Sequence, residues 1–72
     1  MITFIGHGVM KKYSRVVEYI APISLELYVR ACDMPDSLYE NLIAVKEPKV
    51  LSLDYIVSDG DIIHLFLALM GG

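Results

Sequence analysis

The turn Ser58-Asp59-Gly60-Asp61 runs straight into the apolar stretch Ile62 to Met70, broken only by His64, and no other segment constrains this chain as strongly. Asp hydrogen-bonds its local backbone and Gly accepts positive φ, so an Asp-Gly pair reverses a chain tightly. The β-branched start of the stretch then predicts a strand from Ile62 to about Leu67. Period-2 alternation places Ile62, His64 and Phe66 on the face opposite Ile63, Leu65 and Leu67. The competing reading is a helix capped by Gly71, because Leu67-Ala68-Leu69-Met70 are fair helix formers. Launch from a tight turn favours the strand, with a flexible tail over about residues 68–72 that ends in Gly71-Gly72.

Upstream, Met1-Ile2-Thr3-Phe4-Ile5 and Arg15-Val16-Val17-Glu18-Tyr19-Ile20 are rich in β-branched and aromatic residues. With the Gly-containing stretch Gly6–Ser14 between them, they predict a β-hairpin. Pro22 closes the second strand, and Ser24 is placed to cap a helix over Leu25–Cys32. In that helix Leu25, Tyr28, Val29 and Cys32 share one buried face, while Glu26 and Arg30 pair on the wet side. Met34-Pro35-Asp36 ends it, since the residue before proline is pushed out of the α region. A short turn over Ser37–Asn41 follows. Leu42-Ile43-Ala44-Val45 reads as a strand buried on both faces, and Glu47-Pro48-Lys49 turns into a shorter strand around Val50–Leu53. The order ββαβββ or ββαββ predicts an α+β roll, a mixed four- to five-stranded sheet with one main helix, in a single domain spanning residues 1–72.

Seventy-two residues bury only about 60–65% of the surface exposed when unfolded, so the core is small. Domains this short often add a disulfide or a metal. Here Cys32 stands alone and His7 and His64 lie 57 positions apart, so neither staple is expected. The single Cys and the lack of a leader pattern favour an intracellular, cytoplasmic protein. The longest apolar run falls short of the roughly 18–20 residues that span a bilayer. Six Lys and Arg against nine Asp and Glu argue against nucleic acid as a partner. Hydrophobic residues make up 56% of the chain, more than so small a core hides, so some apolar surface is expected to face a partner.

The chain carries no phosphate loop, metalloprotease helix motif or nucleophile elbow, so an enzyme is not expected. Asp59 and Asp61 could serve a metal or acid–base chemistry, yet turn formation accounts for them more simply. Cys32 on the buried helix face reads as an inert core thiol. His64 reads as surface or interface, and His7 as a loop residue without an assigned role. Lys11, Lys12 and Arg15 make too weak a patch for an anion site, and the five scattered tyrosines read as core-edge packing. That leaves the tail. A carboxylate is a poor acyl donor until it is activated, and two glycines let a chain end enter a narrow enzyme channel because no Cβ obstructs it.

The stretches Leu42-Ile43-Ala44-Val45, Val50-Leu51-Ser52-Leu53-Asp54, Val57-Ser58-Asp59-Gly60-Asp61-Ile62-Ile63-His64-Leu65-Phe66 and Gly71-Gly72 resemble the ubiquitin-like sulfur carriers of the ThiS/MoaD family. These serve thiamine thiazole synthesis and molybdopterin synthase. The likeness covers about the last 31 residues; the N-terminal hairpin and helix agree in order only. It implies a β-grasp fold and a non-enzymatic carrier whose terminal carboxylate is adenylated by an E1-like enzyme and becomes a thiocarboxylate. By position Gly72 would carry the adenylate and then the sulfur, and Gly71 would share the tail. Val50, Phe66, Leu69 and Met70 would meet the partner enzyme. No intrinsic cofactor is implied, since ATP and magnesium belong to the activating enzyme; the further partner is a sulfur-accepting synthase. The segment Ser52-Leu53-Asp54-Tyr55-Ile56-Val57 is similar to the molybdopterin type, but the chain has Leu67-Ala68 where that type has a Pro-Pro step, and its length is similar to the thiamine type, so both pathways stay open. Conjugation to proteins, as in ubiquitin-like modifiers, and a non-covalent interaction module are the alternatives.

Overall fold

The computed structural model describes residues 1–68; the expectations placed on Leu69, Met70, Gly71 and Gly72 lie outside the described residues. Five strands, β1 (Ile2–Gly6), β2 (Arg15–Val17), β3 (Leu42–Lys46), β4 (Lys49–Leu51) and β5 (Ile62–Leu67), form one sheet in the order β2-β1-β5-β3-β4. The β1–β5 pair is parallel and the remaining pairs are antiparallel, so the fold is α+β with a mixed sheet. The Asp-Gly turn behaves as its chemistry requires. Gly60 takes φ +92°, and the strand that follows alternates, with Ile63 and Leu65 buried and Ile62, His64 and Phe66 on the other face.

The helix α1 (Leu25–Arg30) lays Leu25, Tyr28 and Val29 on the sheet beside Ile2, Phe4, Ala44, Ile63 and Leu65. Each Leu, Ile, Val or Phe among them contributes about 1.5–3 kcal/mol on burial. The helix is shorter than the sequence predicts. It ends before Cys32, because Asp33 adopts φ +56° and turns the chain away, so Cys32 is half-buried instead of a core position. Ser24 holds the N-cap position without a capping side-chain bond, and its backbone bridges Ile56 instead. Glu26 and Arg30 do meet, at 3.6 Å on the exposed side, where such a pair is worth little. A second short helix, α2 (Asp36–Tyr39), occupies the predicted turn.

Four further expectations are corrected. The loop between the first two strands is a 3-10 helix over Gly8–Tyr13, whose Met10 enters the core. The second strand stops at Val17 instead of Ile20, since the Tyr28 hydroxyl accepts the Ile20 N–H and donates to the Ala21 carbonyl, holding that segment off the sheet. In β3 only Ala44 is buried. The expected two-sided burial fails because the helices cover one face of the sheet and leave the other open. The predicted strand around Val50–Leu53 is likewise Lys49–Leu51, joined to β3 through the cis peptide Glu47–Pro48.

Candidate functional site

Strand register decides what the open face presents. Ile5 of β1, His64 of β5, Val45 of β3 and Val50 of β4 are successive cross-strand neighbours, so they form one row across four strands. Phe66 and Ile43 make the adjoining pair. Val50 is 72% exposed and Phe66 37%, and Ile62 and Val16 are also exposed. Apolar side chains thus recur along this face around His64, and large exposed apolar patches are a kind of surface through which proteins meet partners.

His7 joins this face although it lies beyond β1. Its N–H bonds to the Leu65 carbonyl at 3.0 Å, extending the parallel pairing by one residue and setting His7 beside Phe66. The imidazole lies flat against the Phe66 ring, with centroids 4.5 Å apart and planes 5° from parallel. Its Nε2 is 2.8 Å from Nδ1 of His64. These two rings are 5.1 Å apart at their centroids and 26° from parallel, the arrangement of rings joined edge to edge by a hydrogen bond. On its far side His64 Nε2 is 3.9 Å from Glu47 Oε1.

At the start of β5, on the side of Ile63 and Leu65, the sheet is braced by a polar knot. The Asp61 side chain is 3% exposed and pairs with Lys46 Nζ at 2.6 Å. It accepts further hydrogen bonds from Tyr55 Oη at 2.9 Å and the Ser58 N–H at 2.8 Å. Burial alone pushes this carboxyl up, but the hydrogen bonds from Lys46, Ser58 and Tyr55 and the lysine charge outweigh it, leaving the carboxyl below its ordinary value. Lys46 is raised, chiefly by its hydrogen bond to Asp61. Turn chemistry therefore accounts for part of Asp61's role, through Ser58; its ion pair to another strand was not foreseen.

The remaining candidates do not converge. Cys32 lies on the covered side of the sheet, where burial raises the thiol against the opposing charge and hydrogen bond of Arg15. Lys11 and Lys12 are exposed on the 3-10 helix. Val50 and Phe66 share the open face, while Leu69, Met70, Gly71 and Gly72 are outside the described residues. Among the described residues no group of three or more His, Cys, Asp or Glu could hold a metal ion, and no helix is long and apolar enough to cross a membrane. What the sequence missed is the meeting of His7 with His64 and Phe66; only the parallel β1–β5 register could have revealed it. No protein-family model, curated protein or solved structure matches the chain.

Proposed function

We propose that this chain is a sulfur carrier on a β-grasp scaffold, with Gly72 as the group that is loaded and the open sheet face as the dock for its activating enzyme. The observation that carries the reading is Phe66: an exposed aromatic on an apolar face, on the strand that leads toward Gly71-Gly72. The strand order with a parallel central pair and one-sided helical cover is compatible with the scaffold. In the proposed chemistry the Gly72 carboxylate attacks the α-phosphorus of ATP, expelling pyrophosphate and forming an acyl adenylate. Hydrosulfide from the sulfur donor then attacks the acyl carbon, a carbon–sulfur bond forms as the bond to AMP breaks, and the Gly72 thiocarboxylate is left. The chain itself performs no catalysis and acts in the cytoplasm; thiamine and molybdopterin synthesis are the candidate pathways.

Incubation with ATP, magnesium, an E1-like enzyme and a sulfur donor should raise the intact mass by one oxygen-to-sulfur exchange, localised to Gly72. An unchanged mass with several active enzymes of this class rejects the carrier reading. Ladders of heavier protein adducts that vanish when Gly72 is deleted would instead identify a covalent modifier.

Docking through the open face gives a separate expectation. Apolar anchors dominate interface energies, so Phe66→Ala should weaken enzyme binding by more than about 1 kcal/mol. Folding stability should fall by only about 1 kcal/mol, because the ring is part-exposed and loses chiefly its stacking on His7. A thermal melt that collapses in this variant would make Phe66 a structural residue.

A further inference from the structure

We infer that His7 and His64 form a two-histidine clamp for a single imidazole-preferring divalent cation of the zinc type. Three observations meet here. The facing nitrogens, His7 Nε2 and His64 Nδ1, are 2.8 Å apart, each directed at the other's edge. A zinc ion bonds imidazole nitrogen at about 2.0–2.1 Å, so the two nitrogens need separate by only a fraction of an ångström and re-aim toward a common point. His7 is free to make that adjustment, being exposed and lying between β1 and the 3-10 helix.

The second observation is Glu47, whose carboxylate faces the other nitrogen of His64 at 3.9 Å. A carboxylate on the far nitrogen favours the proton there and leaves Nδ1 with its lone pair toward His7, as the orienting groups behind metal-bound histidines do. The third is the Phe66 ring, which lies against His7 with planes 5° from parallel, so the imidazole can pivot within its own plane while staying beside His64. On binding, two nitrogen–zinc bonds form, the His7–His64 hydrogen bond breaks, and the proton on His7 Nε2 exchanges through solvent to its Nδ1, so both imidazoles ligate in the neutral form. Water fills the remaining positions, so the ion sits on the open sheet face.

The test titrates the intact chain with Zn²⁺ alone in a non-chelating buffer at neutral pH, by calorimetry and by NMR of the imidazole resonances. Saturation at one equivalent, with His7 and His64 shifting together, is the expected result. His7→Gln and His64→Gln, each checked for an unchanged fold by backbone NMR, should abolish saturable binding, and Glu47→Gln should weaken it by up to about tenfold. The clamp is refuted if zinc does not saturate, if either Gln variant binds as the parent does, or if only carboxylate-bearing or amino-terminal residues respond. Because no activating enzyme takes part, a failure here leaves the sulfur-carrier reading untouched, and the converse also holds.

Discussion

Gly6→Ala should lower stability by at least about 3 kcal/mol, at the severe end of overpacking substitutions. Gly6 sits at the end of β1, facing the 3-10 helix that carries Met10 into the core. A Cβ there would lie 1.8 Å from the Met10 carbonyl oxygen and 2.4 Å from its carbon. Both are backbone atoms, so no side-chain rotation relieves the clash. Either Met10 leaves the core or β1 loses its last pairing with β5. A domain of this size has roughly 4–10 kcal/mol in total, and the melting temperature should fall by about 12 °C or more. Gly8→Ala is the internal control: it lies in open space at φ +59°, so only the left-handed backbone resists, at about 1–2 kcal/mol. Equal melting temperatures for the two variants would mean that the 3-10 helix is not seated on β1.

Asp61→Asn should cost about 2–3 kcal/mol at neutral pH, the range for hydrogen bonds to a charged group lost from a buried site. The amide keeps the carboxylate's shape but not its charge: with its oxygen in the Oδ2 place that accepts from both Tyr55 and Ser58, its NH2 faces Lys46 Nζ, which loses its partner. Removing one partner of a fully buried pair costs more; here the half-exposed Lys46 recovers water. The folded carboxyl is held below the ordinary 3.8, so the native state gives up its proton more readily than the unfolded chain does. Its stabilisation is therefore present above about pH 4 and is lost as pH falls through the lower folded value. Lys46 is raised above 10.5, so its contribution is present below that value and lost as pH rises through the folded one. Denaturant melts across the acid range should show the gap between parent and Asp61→Asn closing below pH 4. A gap that stays constant there would show that the variant's cost is steric.

The sequence signals that held were local. The Asp-Gly turn and the alternation of Ile62–Leu67 were readable because both act within a few residues. The buried face of α1 was readable for the same reason, through Leu25, Tyr28 and Val29. Leu42-Ile43-Ala44-Val45 misled because an all-apolar strand looks the same whether its second face meets a helix or solvent. Which of these holds depends on how much helix the rest of the chain can supply, and α1 and α2 together cover only one face. The 3-10 helix at Gly8–Tyr13 leaves little signal, as its single buried anchor is Met10. The His7–His64 contact and the Lys46–Asp61 pair join residues on, or just beyond the ends of, different strands, and neither spacing in the sequence betrays them. Among the candidate site residues, Phe66 was placed on the correct face by alternation alone; the ring that covers part of it, His7, was not.

The position of β5 between β1 and β3 also has a kinetic meaning. The hairpin β3–β4 and the pair β1–β2 form from nearby residues, but the centre of the sheet stays vacant until residues 62–67 are available to fill it. Contacts so distant in sequence make folding slow for a domain of this size. During synthesis β1 and β3 each present an unpaired edge, and a β5 strand from a neighbouring chain fits that gap as well as the chain's own. Domain-swapped dimers are thus the expected misassembly when this protein is made at high concentration.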